Sequence, residues 1–226
     1  MIATLESTIK NHSTPIKYIP ALGVGSLTPF FDSFQKWGVK EKTFKPQLTL
    51  QAGIKENFKV LDLGCGTGTL TLLVKKSQPS AEVTGIDIDP HILSIAKEKA
   101  AQARVQINFD LGTAFNLPYA DNFFDRVVSS LVFHHLTREN KVRALKEILR
   151  VLKTNGEIHI ADIGKPQNIL MRLPSVVMRR LEETEDNVKG LLPQMLKIAG
   201  FNRVDETAKL MTVFGTISLY KGLKTM

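Results

Sequence analysis

Between Val60 and Gly68 the chain reads Val60-Leu61-Asp62-Leu63-Gly64-Cys65-Gly66-Thr67-Gly68, an apolar run that ends in three alternating glycines. Glycine tolerates left-handed backbone and lets a ligand come close to it. Gly64, Gly66 and Gly68 at the end of a strand therefore mark a binding turn at the carboxyl edge of a sheet. Asp87 follows Gly68 by 19 residues and closes the next apolar run, Val83 to Asp87. From there a carboxylate can accept hydrogen bonds from both hydroxyls of a ribose, so the pair predicts a nucleoside-type cofactor. Thr69 stands where a dinucleotide fingerprint has its third glycine, and no Gly-Lys-Ser/Thr follows for a triphosphate. Asp62 within the turn would repel a pyrophosphate and suit a cationic amino-acid group. A second chemistry-bearing pair is His134-His135. One imidazole can contact or deprotonate a bound acceptor; alternatively, one caps the helix that starts at Thr137 and the other packs against it.

Positioning these groups requires an alternating architecture. Val60 to Leu63, Val83 to Asp87, Val105 to Phe109, Asp125 to Ser130 and Glu157 to Ile163 read as buried strands. Leu70 to Lys76, Pro90 to Ala103 and Thr137 to Leu152 read as the helices between them. The last carries Val142, Leu145, Ile148, Leu149 and Leu152 on one face, and Thr154-Asn155-Gly156 stops it. This alternation predicts an α/β fold, a doubly wound, mostly parallel sheet covered by helices on both faces. Phe201 to Glu206 and Met211 to Tyr220 are too close in sequence for a parallel crossover, so they predict an antiparallel C-terminal hairpin. Thr28-Pro29 starts a helix with Phe30, Phe34 and Trp37 on one face, and Pro46 interrupts it, leaving a second short helix to about Ala52. The expected organisation is an irregular and helical N-terminal cap over 1–45 and one main domain over 46–226, with a lid insertion at about 164–195.

Composition narrows the class. With 43% hydrophobic and 23% charged residues, the chain suits one compact domain. It has no apolar run of membrane-spanning length and opens without a signal-peptide pattern, so a cytoplasmic protein is expected. The single cysteine, Cys65, cannot form an internal disulfide and is expected to be a small buried filler whose backbone matters. The net charge of +8 is uneven: eight basic against four acidic residues in 1–59, twelve against twelve in 60–164, and ten against six in 165–226. Basic residues are interspersed rather than run together, which speaks against nucleic acid as the main partner.

The sequence resembles the class I S-adenosylmethionine-dependent methyltransferases, and is similar to the small-molecule branch that includes ubiquinone/menaquinone-biosynthesis C-methyltransferases. The resemblance covers about residues 44–220 and rests on D-L-G-C-G-T-G followed by G-I-D-I-D. It implies a Rossmann-like, seven-stranded sheet whose seventh strand is antiparallel, and S-adenosyl-L-methionine as cofactor. Asp62, Gly64, Cys65, Gly66 and Gly68 would line its methionine and ribose part, Asp87 would hold the ribose, and Ile88 would lie against adenine. Gly112-Thr113-Ala114 with Leu117-Pro118 matches the family's G-D-A-x-x-L-P loop, Thr113 replacing the usual Asp at the adenine edge. Ser129-Ser130-Leu131 matches the end of the fourth strand. Arg150-Val151-Leu152-Lys153-Thr154-Asn155-Gly156 resembles R-V-L-K-P-G-G with two substitutions.

Methyl transfer from a sulfonium is an in-line displacement that requires no metal. Its main demand is an acceptor held at about 3–3.5 Å in the right alignment. His135, and secondarily His134, are the candidates to act on that acceptor. The fourth strand ends in Ser129-Ser130-Leu131-Val132-Phe133 instead of the N/D-P-P-Y/F motif used on planar amino groups, which favours a small-molecule acceptor. Residues 15–45 and 164–195 should set acceptor specificity. The second carries Ile169, Leu170, Met171, Leu173, Val176, Val177 and Met178 between Lys165 and Arg179-Arg180, either as a packed amphipathic helix or as a lid. The expected acceptor is apolar, anionic groups and a membrane surface being left open. The alternatives are an RNA or other macromolecule methyltransferase, or a cofactor-binding protein without transferase activity.

Overall fold

The computed structural model describes residues 41–167, 183–212 and 215–225. The expected helix from Thr28, with Phe30, Phe34 and Trp37, and the stretch from Ile169 to Arg180 lie outside the described residues. Helix α1 (Glu41–Ala52) leads into β1 (Lys59–Leu63), α2 (Thr69–Ser77), β2 (Glu82–Asp87), α3 (Pro90–Gln102), β3 (Asn108–Leu111) and β4 (Phe124–Ser130). A 3-10 turn (Phe133–His135) precedes α4 (Arg138–Val151), β5 (Leu152–Ile163), α5 (Glu185–Val188), α6 (Leu192–Ala199), β6 (Asn202–Thr212) and β7 (Gly215–Leu223).

The seven strands pair in the order β3-β2-β1-β4-β5-β7-β6. The β1–β2, β1–β4, β2–β3 and β4–β5 pairs are parallel, and β7 runs antiparallel to both β5 and β6. Strand order reverses between β1 and β4, which opens a crevice at their carboxyl ends where doubly wound sheets take ligands. Alternation along the strands divides the core in two. Leu61, Leu63, Val127, Ile158 and Ile160 pack against Leu145, Ile148, Met195 and Leu196 on α4 and α6. Val60, Val83, Val128 and Ala161 pack on the other face with Phe44 and Leu48 of α1 and Leu70 and Val74 of α2. Among the described residues no helix is long and apolar enough to cross a membrane.

Among the boundaries that differ from the sequence expectation, four have a clear local reason. Pro46 does not break α1 but lies inside it. It removes one backbone donor, and burial of Phe44, Leu48 and Ala52 at four-residue spacing outweighs that loss. Strand β3 begins at Asn108 instead of Val105, because Arg104 turns left-handed (φ 53°) and the Val105 N–H returns to the Ala100 carbonyl to close α3. Strand β5 starts at Leu152, directly after α4, and absorbs Thr154 to Gly156 with Asn155 at φ 63°. Met211 belongs to β6, so the hairpin turns beyond Thr212 and not before Met211.

Candidate active site

Strand β1 ends in a turn suited to glycine: Gly64, Gly66 and Gly68 have φ values of 64°, 54° and 74°. A Cβ on Gly64 would stand 2.4 Å from a Val132 methyl carbon, and one on Gly68 would stand 3.1 Å from Ala96 Cβ. A Cβ on Gly66 would meet nothing within 4 Å. Two glycines thus press the turn against the end of β4 and against α3, and the middle one leaves its backbone open.

Cys65 points inward. It is buried, and its Sγ lies 2.9 Å from where a Cβ on Gly85 would be. Its N–H donates to the Ile86 carbonyl at 3.0 Å and its carbonyl accepts from Gly68 N–H at 3.0 Å, so the backbone closes the turn. Burial, followed by the charges of Asp62 and Asp87, pushes the thiol well above its ordinary range. This is a packing residue with no nucleophilic character.

Two acids flank the open backbone. Asp87 ends β2, and its Oδ2 accepts from Gly66 N–H at 2.8 Å while its Oδ1 accepts from Asp89 N–H at 3.1 Å. Ile88 N–H also approaches the carboxylate, which with about four acceptor sites keeps capacity for a ligand hydroxyl. Burial raises the Asp87 carboxyl against the pull of these amides. Asp62 is fully buried, and Thr71 Oγ1 donates to its Oδ2 at 2.6 Å while Oδ1 has no partner. Burial pushes the Asp62 carboxyl up to about 7, although the Thr71 hydroxyl and Lys45 oppose the shift. A buried carboxylate with one orphaned oxygen suits a cationic ligand group.

The loop after β3 completes this side. Gly112 N–H donates to the Asp87 carbonyl at 2.9 Å, which brings Thr113 and Ala114 beside Asp87 and Ile88, the last 38% exposed. Thr113 bridges to Asn116, closing a tight turn. Arg150 anchors the residues after that turn, donating to the Tyr119 carbonyl at 2.8 Å and the Leu117 carbonyl at 2.9 Å, while Glu147 accepts from Leu117 N–H at 2.8 Å. The arginine of the R-V-L-K stretch therefore fixes the Leu117-Pro118 loop.

On the other side, Ser130 ends β4 and Leu131 follows at φ 60°, left-handed for a branched side chain. The next turn is built on Asp162, which no expectation from sequence included. Asp162 is fully buried at the end of β5. Its Oδ2 accepts from the N–H groups of Val132 (3.1 Å) and Phe133 (2.8 Å). Its Oδ1 accepts from His134 Nδ1 (2.8 Å), Ile163 N–H (2.7 Å) and Asn187 Nδ2 (3.1 Å). Burial alone would raise this carboxyl, but the imidazolium of His134 and the amides hold it below the ordinary carboxylate range. His134 is thus committed to a buried ion pair.

His135, half-buried beside it at a ring-centroid distance of 4.0 Å, is pushed down to about 3 by burial and then by the His134 charge. It is a neutral imidazole at ordinary pH, a weak base and a competent hydrogen-bond acceptor. Neither histidine caps α4; Thr137 Oγ1 does, accepting from Asn140 N–H at 3.3 Å. Sequence reasoning missed Asp162, Thr71 and Lys45. The available signal for Asp162 was a lone acid within the otherwise apolar run Ile160 to Ile163.

Comparisons with known proteins agree on one family. A model described as a methyltransferase domain matches residues 54–214. The demethylmenaquinone methyltransferase of Lactobacillus johnsonii is 37% identical over 139 residues, covering 60% of this chain and 54% of that protein. The ubiquinone/menaquinone biosynthesis C-methyltransferase UbiE of Shewanella pealeana is 31% identical over 197 residues, covering 76% of each. The chain thus spans about half the length of the first relative and three quarters of the second. Among solved structures, a SAM-dependent methyltransferase from Methanosarcina mazei superposes with a TM-score of 0.64 at 20% identity, covering 78% of this chain and 97% of that one.

The Asp162–His134 pair gives a stability prediction. His134→Ala leaves a buried carboxylate without its cation and should cost about 3–5 kcal/mol in denaturant unfolding. Because the Asp162 pKa is lowered on folding, the stability it lends is present above about pH 4 and disappears as pH falls through the folded value. The gap between wild type and variant should therefore shrink below pH 4. A gap under about 1 kcal/mol at pH 5 would show that the pair is not structural.

Proposed function

The chain belongs to the class I S-adenosylmethionine-dependent methyltransferases, and on that premise we propose that it methylates a small apolar acceptor of the quinone-precursor type. The observation that carries the cofactor reading is the open backbone at Gly66 between the orphaned Asp62 Oδ1 and the Asp87 carboxylate. Two relatives named for quinone methylation, at 37% and 31% identity, support the acceptor reading. When bound, S-adenosylmethionine supplies a methyl group on a cationic sulfur. Asp87 would accept from the ribose hydroxyls, Ile88 and Thr113-Ala114 would border the adenine, and Asp62 would face the amino-acid ammonium.

The chain's remaining task is alignment, since in-line displacement gains mainly from a held geometry. The segment from Ser130, at the end of β4, to His135 lies against Gly64 through Val132 and so would border the reacting end of the cofactor. His135, neutral at working pH, suits orienting an acceptor hydroxyl better than removing its proton. We place acceptor choice in 1–45 and 164–195; the basic surplus of the first, six against three, suits an acceptor with an anionic group or one offered at a membrane surface.

Turnover tests the proposal. Purified protein with S-adenosylmethionine should convert a demethylated quinone precursor and release S-adenosylhomocysteine. Methylation of RNA with no reaction on quinone precursors would favour the macromolecule alternative, and cofactor binding without turnover on any pool would favour a non-catalytic binder. Asp87→Ala should weaken S-adenosylmethionine binding by about 1.5–3 kcal/mol in calorimetry while the melting temperature holds; unchanged affinity would remove the ribose assignment. Asp62 sets a further expectation. A cation brought beside a carboxyl raised to about 7 lowers its pKa, so binding between about pH 6 and 7 should release a proton. Calorimetry in two buffers of different ionisation enthalpy should show that release in wild type and not in Asp62→Asn.

A further inference from the structure

Among the described residues, seven buried side-chain polar atoms have no hydrogen-bond partner. One is Asp62 Oδ1, in the cofactor crevice. The other six lie elsewhere, on Thr184, Asn187, Gln194, Thr216, Ser218 and Tyr220, and five of these gather about Asp162. Asn187 Nδ2 donates to Asp162 Oδ1 at 3.1 Å, leaving its own Oδ1 unpaired. Thr184, one turn earlier, stands at the N-cap of α5, yet its hydroxyl caps nothing. Ser218 is opposite Asp162 in the β5–β7 register, and strand alternation puts Thr216 and Tyr220 on the same face while Ile217 and Leu219 turn to the other. Ser218 Oγ leans over Gly164, where any Cβ would overlap it. Burial pushes the Tyr220 phenol up and the Ser218 hydroxyl opposes that rise, so the two lie near each other without a formed bond.

A buried hydroxyl or amide oxygen without a partner forfeits its hydrogen bonds to water and receives nothing in return, and native interiors hold few of them. Five at one place mark where a polar group belongs. The four hydroxyls can donate or accept, whereas Asn187 Oδ1 only accepts, so that group must itself donate. The lysines that reach this place from α4 and β6 are engaged. Lys141 Nζ donates to the Glu183 carbonyl at 2.8 Å and lies 3.7 Å from Asp186 Oδ2, while Lys209, opposite Ser218 on β6, lies 3.0 Å from Glu206 Oε2. With both cations engaged, the place suits a neutral hydroxyl better than an anion. It adjoins the His134–His135 turn through Asp162, and β7 is two strands from β4, about 10 Å at ordinary strand spacing. A bicyclic aromatic ring with one hydrogen bond covers that span. We propose that Thr216, Ser218 and Tyr220, with Asn187 Oδ1, form a subsite for a ring hydroxyl of the methyl acceptor, a hydroxyaromatic molecule held on the β5–β7 side of the crevice. This rests on the small-acceptor reading above and adds β7 to the segments that choose the acceptor.

The experiment compares two ligands that differ only in ring hydroxyls. Affinities of wild type, Thr216→Val, Ser218→Ala and Tyr220→Phe for 2-geranylnaphthalene-1,4-diol and for 2-geranylnaphthalene are measured by calorimetry under nitrogen with S-adenosylhomocysteine present, with melting temperatures on the same preparations. The variants should bind the diol about 5- to 30-fold more weakly and the hydroxyl-free ligand unchanged. Their melting temperatures should hold or rise, because each substitution removes a hydroxyl that the protein alone leaves unpaired. Equal effects on both ligands, no effect on either, or a fall in melting temperature in all three variants would overturn the subsite and make these hydroxyls packing groups or hosts of buried water. Where a variant does not fold, wild type still decides: it must bind the diol at least about 5-fold more tightly than the hydroxyl-free ligand, and equal or reversed affinity overturns the proposal. A folded wild type that binds neither ligand instead sinks the small-acceptor reading itself.

Discussion

Left-handed backbone at three alternating residues is the constraint on which the rest of the crevice depends. Gly64, Gly66 and Gly68 turn the chain from β1 into α2 with φ values that side chains resist. The turn then shapes its neighbours. Gly64 is pressed by Val132 and Gly68 by Ala96, so the end of β4 and the helix α3 can approach only because no Cβ intervenes. Cys65, directed inward by the same turn, requires a glycine opposite it in β2, since a Cβ at Gly85 would stand 2.9 Å from both Cys65 Sγ and Phe109 Cδ1. The open face of Gly66 is what remains once these contacts are made.

Charge follows the same geometry. The chain is basic overall, yet the carboxyl edge of its central strands gathers Asp62, Asp87 and, behind them, Asp162, while arginines such as Arg150 and Arg138 are engaged at loop carbonyls or at Asp186. On the proposed reaction the transferred methyl takes the positive charge of the sulfonium with it, so the product is less strongly attracted to this site than the substrate cofactor. A negative crevice thereby favours exchange of spent cofactor for fresh, whichever acceptor is used.

The alternating core and the glycine turn were legible because they are written in local sequence: period-two apolar runs, amphipathic Thr137 to Leu152, and glycine at fixed spacing. The hairpin was legible from loop length alone. What sequence reasoning misplaced depends on contacts across the fold. Val105 looks like a strand residue, but its N–H is used by the end of α3; Pro46 looks like a helix break, but Phe44 and Leu48 bury on a sheet face that only the tertiary structure supplies. Asp162 was passed over for the same reason: its donors come from Val132, Phe133, His134 and Asn187, 25 to 30 residues away in either direction. The histidines were visible as a pair, but their different environments were not: His134 is held by Asp162, while burial and the neighbouring His134 push His135 down.

Two buried carboxylates on the strands that flank β4 show how finished structure differs from a waiting site. Asp162 and Asp62 are both excluded from water, so desolvation pushes both toward neutrality. Asp162 receives five hydrogen bonds, one of them from the His134 ring, enough to keep it ionised, and the protein supplies every partner. Asp62 is met by Thr71 alone, through its hydroxyl and its backbone N–H, keeps an orphaned oxygen, and rises to about 7 despite the charge of Lys45. A carboxyl left this incomplete destabilises the fold above its unfolded pKa, and the cost grows with pH until the group titrates in the native state. Such an expense persists where a ligand removes it. The difference in saturation between the two acids, rather than their burial or type, is what distinguishes them, and it is the physical ground on which the proposed reading assigns a ligand's cationic group to the acid of β1 and not to that of β5.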